Sequence, residues 1–475
     1  MNVLESWLSA ADPVDIAVVD DSDQLSYGDL LGKSAALAHL YESQYGRRKY
    51  LLLPAEKSIA FVIALVAASR SGNIPVPVDP TSPKRLLDNI AERCGDSAIV
   101  DLALKAQDGA APLPDDTEPD LPALVLFTSG TSGSPKGVPV SWQNLQHSVT
   151  TVSDYLEYQR YPSAAIVLPL HYSYALLTQL LCMLYVGGRA RLFASFRNPI
   201  KFAKSVEAEV LQSFCGVPST YHALCAIHRM SPLHMPAIRV LCSAGAAMDR
   251  SLMPEIKDIF PAGRFFDNYG MTEATPRISY LRDDDRRFDE PTCGRAIDGL
   301  EVRVLDEQTH RPLRDGEQGI VAIRGPNVFN GYLNDAESTR SAFTDDGFLL
   351  SGDYGYLRDQ YIYITGRADD IFSVGGEKVS PLEIERALSE HENIVASAVG
   401  KVEDENRGTL SIAYIQTNAD IRRKEIIDFL EDRLPPARIP LRYIRVRAFP
   451  LTPNGKVQRS HLSPDDKSIV IGDIN

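Results

Sequence analysis

Short apolar runs alternate with amphipathic stretches along the first hundred residues. Tyr50 to Leu53 and Ile74 to Val78 read as buried strands. The stretch opening at Ser26-Tyr-Gly-Asp reads as a helix, as do Ile59 to Ser71, which stops at Gly72, and the segment beginning at Ser82-Pro-Lys-Arg. This alternation predicts a wound α/β sheet. Residues 103–120 are rich in Ala, Pro and Asp and predict a loop, after which an apolar run from Leu121 to Phe127 predicts another strand and the alternation resumes to about residue 290. Between 295 and 366 the pattern changes to short β segments bounded by glycine, Gly299 to Leu305 and Gly319 to Gly325, which predict a small β-barrel or β layer. Beyond Asp369 a compact α+β unit is expected: a helix from Pro381, strands Ile394 to Val399 and Thr409 to Ile415, and a helix from Arg422 to Leu434.

The apolar run before residue 128 is followed by Thr128-Ser-Gly-Thr-Ser-Gly-Ser-Pro-Lys136-Gly137. Such a segment has almost no apolar surface to pack. Its glycines let backbone N–H groups converge on an anion, its hydroxyls add donors, and Lys136 adds a positive charge. A phosphate ligand is therefore expected at Thr128, Ser129, Gly130, Thr131, Ser132, Gly133 and Lys136. The spacing departs from the common nucleotide loop G-x-x-x-x-G-K-[ST]. A flexible Ser/Gly linker is the bland alternative, but linkers rarely follow a strongly apolar strand directly.

Four further segments carry chemistry. Phe265 to Ala274 reads as a strand end and turn presenting Asp267, Tyr269, Gly270, Met271, Thr272 and Glu273. Ser351-Gly-Asp353 offers a carboxylate in a glycine-flanked turn. Gly366-Arg367-Ala-Asp369-Asp370 sets a guanidinium beside two acids, and Pro450 to Lys456 ends in a single turn lysine. Each alone fits a plain surface: an ion pair, a half-buried tyrosine, a helix-start glutamate, a solvated lysine.

In this order the five segments resemble the adenylate-forming superfamily of acyl-CoA synthetases, aryl-acid ligases, luciferases and peptide-synthetase adenylation domains. The likeness runs from about Leu25 to about Leu462. It implies an AMP-binding domain over 1–368 and a mobile C-terminal domain over 369–475, hinged at Asp369, with the active site between them. It also implies an enzyme that joins a carboxylic acid to AMP, releases pyrophosphate, and passes the acyl group to a phosphopantetheine thiol. The cofactors implied are ATP and Mg²⁺. The loop with Lys136 would take the β- and γ-phosphates, Thr272 the α-phosphate and Glu273 the magnesium ion. Asp353 would hold the ribose hydroxyls with Arg367 nearby, Tyr269 would stack on adenine, and Asp267 would meet its amino edge. Lys456 would neutralise charge between the substrate carboxylate and the α-phosphate as the bond forms. Four positions depart from the family's pattern: Phe348 and Ser351 replace Trp and Thr, Ser373 stands where many relatives have lysine, and Ala175 replaces a glycine.

The acyl pocket implied by the resemblance is lined by His171, Tyr172, Tyr174, Gly216, Val217, Ser243, Gly245 and Met271. Amino-acid-activating relatives place an aspartate near His171, yet no acid occurs between Tyr158 and Glu207. A buried ammonium without a counter-charge is costly, so the expected substrate is an aliphatic or aryl acid without an α-amino group. A non-catalytic acyl- or nucleotide-binding protein on the same fold is the alternative reading.

The chain has 475 residues and a net charge of −14, which argues against general nucleic-acid binding. No apolar run is long enough to span a bilayer. Six cysteines show no metal-type spacing and suggest free thiols in a reducing cytoplasm. Residues 421–460 nevertheless carry ten Lys and Arg against four acids. That excess predicts a basic face for an anionic acceptor, either CoA or an acidic acyl carrier protein, the carrier slightly preferred.

Overall fold

The Ser26 hydroxyl accepts from the Asp29 N–H at 3.1 Å and starts the helix Tyr27–Tyr45, as its place before an amphipathic run predicts. Helix Ile59–Arg70 is capped by Ser58 and is buried around most of its circumference, so it lies in the interior. The computed structural model describes residues 3–104, 121–128, 135–374, 377–404, 408–450, 457 and 461–474. The chain divides into two compact units. One is Met1–Val302 with Ile323–Leu349, the other Arg303–Ala322 with Leu350–Asn475.

The first unit is built on a wound sheet. Strands Gln24–Ser26, Ile16–Val19, Arg189–Leu192, Ser163–Ile166, Ser213–Gly216, Val240–Ala244, Arg264–Tyr269, Ser279–Arg282 and Arg295–Ala296 lie side by side in that order. The six from Ile16–Val19 to Arg264–Tyr269 run parallel. Both faces of such a sheet are covered, which explains strands as apolar as Ser163–Ile166 and Val240–Ala244, buried at every position. A smaller parallel sheet joins Ile74–Val78, Tyr50–Pro54 and Ser97–Ile99. Val125, on the hairpin Leu124–Thr128 and Lys136–Val140, packs into the core of Leu52, Ile74, Val76, Val78 and Ile90.

In the second unit the hairpin Leu349–Arg358 and Tyr361–Arg367 pairs Asp353 with Arg367. A four-stranded sheet joins Ile394–Asp404, Gly408–Thr417, Arg442–Val446 and Val470–Asp473. Its core combines Val399, Ala413, Ile415 and Tyr443 from the strands with Ile384, Leu388, Ile426 and Leu430 from helices Pro381–Ser389 and Arg423–Glu431. The last helix is shorter than expected because Arg422 caps it and Pro435 and Pro436 follow. The two paired strands outrun their apolar cores by several residues, because the ladder continues between Lys401 and Ser411 and between Glu403 and Thr409 regardless of side chain.

Candidate active site

Parallel strands end together. In register, Gly216 lies beside Ser243 and Ser243 beside Asp267, so three residues named from sequence form one row at the carboxyl edge of the sheet. That edge is where open α/β sheets bind ligands. Val217 follows at the start of helix Pro218–Met230. The Tyr172 hydroxyl lies 3.1 Å, and a Val217 methyl 3.8 Å, from the position a side chain would take at Gly245. Tyr172 and Tyr174 meet edge to face with centroids 6.2 Å apart. The Ser173 hydroxyl between them lies 3.1 Å from the Thr272 hydroxyl. Ala175, the departure from glycine, is fully buried in this turn.

Strand Arg264–Tyr269 delivers Tyr269 and Gly270, and a tight 3₁₀ turn, Thr272–Ala274, follows with Met271 at its head. A side chain at Gly270 would stand 1.8 Å from the Pro276 carbonyl oxygen, so only glycine fits there. Glu273 is buried to 8% exposure, and its Oε1 accepts from the Tyr332 hydroxyl at 2.9 Å. The Lys136 ammonium sits 4.9 Å from the centre of the same Tyr332 ring. Tyr332 therefore brings together two residues 137 positions apart in sequence that were assigned to one triphosphate and its metal. Glu273, a shielded carboxylate whose described partner is a neutral hydroxyl, suits a hard divalent ion. Among the described residues there is no cluster of three His, Cys, Asp or Glu that could enclose a metal by itself.

Thr128 faces Lys136 across the hairpin that frames the glycine-rich loop. Ser129, Gly130, Thr131, Ser132 and Gly133 lie outside the described residues, as does Lys456. Asp267 carries an ion pair with Arg250 at 3.3 Å. Arg250 also donates to the Thr292 carbonyl at 3.0 Å and to the Phe288 and Glu290 carbonyls.

In the second unit Arg367 Nη1 donates to Asp353 Oδ1 at 3.0 Å and to the Ser351 carbonyl at 3.2 Å. Gly352 has a left-handed φ of +72°, and the guanidinium crosses 2.8 Å from where its side chain would stand. The glycine serves the turn and the close approach alike. Asp369 is exposed in the turn after Arg367.

Two sequence-based expectations need correction. No acid occurs between Tyr158 and Glu207, but Asp79 arrives from the turn after strand Ile74–Val78 with Oδ2 4.0 Å from His171 Nε2. Its other oxygen is occupied by the Thr81 N–H and hydroxyl at 2.8 and 2.7 Å. Burial lowers the His171 pKa, and Asp79 opposes that shift only in part. The basic excess over 421–460 is also not a free face. Arg422, Lys424, Arg433, Arg438, Arg442 and Arg445 are ion-paired with Glu425, Asp428, Glu390, Glu383, Asp473 and Asp420. Four of those acids lie outside the window counted in sequence.

All six cysteines are free, five of them buried. No helix among the described residues is long and apolar enough to cross a membrane.

The family model of AMP-binding enzymes matches residues 6–333, and that of the AMP-binding enzyme C-terminal domain matches residues 383–456. A 4-coumarate–CoA ligase of Pinus taeda is 28% identical over 72% of this chain, and the alignment spans 65% of that relative's own length. An oxalate–CoA ligase of Arabidopsis thaliana is 30% identical over 83% of this chain and 77% of its own. The crystal structure of ATP-bound MatB from Rhodopseudomonas palustris superposes with a TM-score of 0.86 at 25% identity, covering 97% of this chain and 98% of the other.

Proposed function

The chain belongs to the family of AMP-binding enzymes, and from that premise we propose that it is an ATP-dependent acid–thiol ligase. In the first half-reaction a carboxylate oxygen attacks the α-phosphorus of ATP, giving acyl-AMP and pyrophosphate. In the second a thiolate displaces AMP and leaves a thioester. The observation that carries this reading is the meeting of Glu273 and Lys136 on Tyr332. It sets a shielded carboxylate and a cation beside the turn holding Thr272, the arrangement a magnesium–triphosphate requires.

Mg²⁺ held by Glu273 would supply charge neutralisation at the phosphates. Lys136 and Thr128 frame the phosphate loop, Ser129 to Gly133 supply its donors, and Thr272 takes the α-phosphate. Tyr269, Gly270 and Asp267 form the adenine wall, with Asp267 oriented by Arg250. Asp353, oriented by Arg367, takes the ribose. Lys456 is the charge-neutralising residue of adenylation. His171, Tyr172, Tyr174, Gly216, Val217, Ser243, Gly245 and Met271 shape the acyl pocket. The AMP-binding domain is 1–368 and the mobile domain 369–475, with Asp369 as hinge.

The acid has no α-amino group, since no acid occurs between Tyr158 and Glu207, and Asp79, which arrives from the smaller sheet, faces the His171 imidazole. The thiol is CoA. Two relatives carry CoA ligase in their names, and the pairing of Arg442 and Arg445 removes the argument that favoured a carrier protein. A reducing cytoplasm suits the six free cysteines.

Acid-dependent exchange of labelled pyrophosphate into ATP, run over aliphatic, aryl and amino acids, tests the first half-reaction. CoA and a holo-carrier protein supplied in parallel, with products read by mass, test the second. Absence of exchange with every acid would leave the non-catalytic alternative standing.

A further inference from the structure

Arg277 follows Glu273 by four residues and is 2% exposed. A guanidinium stays charged when buried, and burial without an opposite charge is expensive. Yet its described partners are all neutral. Nε donates to the Tyr155 hydroxyl at 3.0 Å, Nη2 to the Thr178 hydroxyl at 3.4 Å, and the guanidinium carbon lies 4.6 Å from the centre of the Tyr174 ring. Nη1 donates to no described group. The Tyr155 hydroxyl is itself committed, donating to Asn268 Oδ1 at 2.8 Å.

The surroundings are equally unsatisfied. The hydroxyls of Tyr174, Ser243 and Thr275 and both amide atoms of Gln179 are buried without a hydrogen-bond partner. Native interiors pair such groups almost without exception. Thr178 and Gln179 lie on a π-helical turn, Leu176–Leu180, a distortion frequent at functional sites. Tyr174 and Ser243 are walls of the acyl pocket, and Ser173, next to Tyr174, touches Thr272 at the reacting end. The segment Ser173–Tyr174 thus separates Thr272 on one side from the Arg277 guanidinium on the other.

We propose that Arg277 binds a second anionic group on the acyl substrate, so that the acid is dicarboxylic or carries an equivalent anion at its far end. A carboxylate matches the guanidinium fork and supplies the missing counter-charge. It would also accept from the Tyr174 and Ser243 hydroxyls, whose needs an uncharged acyl tail would leave unmet. The inference rests on the acid-activating reading given above and names the substrate class for the same pocket.

The test uses the full chain and matched pairs of acids with equal carbon number: butanoate with succinate, hexanoate with adipate, 2-methylbenzoate with phthalate. Pyrophosphate exchange is expected to favour the diacid of at least one pair by about tenfold or more in kcat/KM. In Arg277→Gln that preference should vanish through a raised KM for the acid, with the KM for ATP unmoved, and Arg277→Lys should recover part of it. Exchange that favours the monoacid in every pair, or treats both alike, overturns the proposal. If Arg277→Gln does not fold, the wild-type preference decides alone. If no acid supports exchange, the ligase reading fails separately. Thermal stabilisation of the wild type by diacids but not monoacids, weakened in Arg277→Lys, would then still support the anion site, and its absence would refute it.

Discussion

The Tyr332 hydroxyl donates to Glu273 Oε1 across 2.9 Å, while the same ring lies beneath the Lys136 ammonium. Tyr332→Phe separates the two contacts, because phenylalanine keeps the ring and removes only the hydrogen bond. A hydrogen bond to a charged group contributes about 1.5–3 kcal/mol. Part of that is recovered by water, so pyrophosphate exchange is expected to fall by about tenfold. The magnesium concentration for half-maximal exchange should rise, and thioester formation from pre-made acyl-AMP should not change. An unaltered magnesium dependence would remove Tyr332 from the metal's support.

Lys456 is expected to act in one half-reaction only. Groups that stabilise developing charge at a transferring phosphoryl centre are worth about 10²- to 10³-fold. Lys456→Ala should therefore cut acyl-AMP formation by at least that range, while transfer from supplied acyl-AMP to CoA declines far less. Equal loss in both half-reactions, measured by rapid quench, would contradict the assignment.

Glycines at two positions should respond in opposite directions. A methyl at Gly270 meets the Pro276 carbonyl oxygen at 1.8 Å, a backbone atom that cannot swing aside. Gly270→Ala should lose about 3 kcal/mol or more in urea unfolding. Gly32 lies inside helix Tyr27–Tyr45 with nothing within 4 Å of the added carbon. Gly32→Ala should gain about 0.5–1 kcal/mol. A tolerated alanine at 270 would mean that the turn ahead of Glu273 is not held as described.

The parts of this site that sequence made legible are those whose chemistry is local. Ser26 announced its helix because capping needs only neighbouring residues. Asp353 and Arg367 were both named, and antiparallel pairing of adjacent strands joined them. What sequence hid depended on long-range closure. Tyr332 is one of 20 tyrosines and gains meaning only when the fold sets it between Lys136 and Glu273. Asp79 follows an ordinary apolar strand and reaches His171 because the smaller sheet ends there. Arg277 offered a faint signal, a cation two residues before the strand Ser279–Arg282, but its burial could not be read from the chain. The basic window misled for the same reason: four of the six acids paired with it lie outside it in sequence and adjacent in space.

Acid sensitivity should carry a His171 component of known sign. The free imidazole titrates near pH ~6.5, and burial lowers that value in the folded chain, with Asp79 opposing. Above pH ~6.5 both states are neutral at this residue and it contributes no pH dependence. As the pH falls below that point the unfolded chain takes up a proton that the folded chain refuses, so unfolding becomes favoured until the folded pKa is passed. The slope from one such group is at most about 1.4 kcal/mol per pH unit. Urea unfolding from pH ~8 to ~5 should therefore show His171→Gln losing less stability on acidification than the wild type. Asp79→Asn, which removes the opposing charge, should steepen the wild-type slope by depressing the imidazole further. A His171→Gln variant that lost stability faster than the wild type on acidification would reverse the sign and require a charged imidazole paired with Asp79.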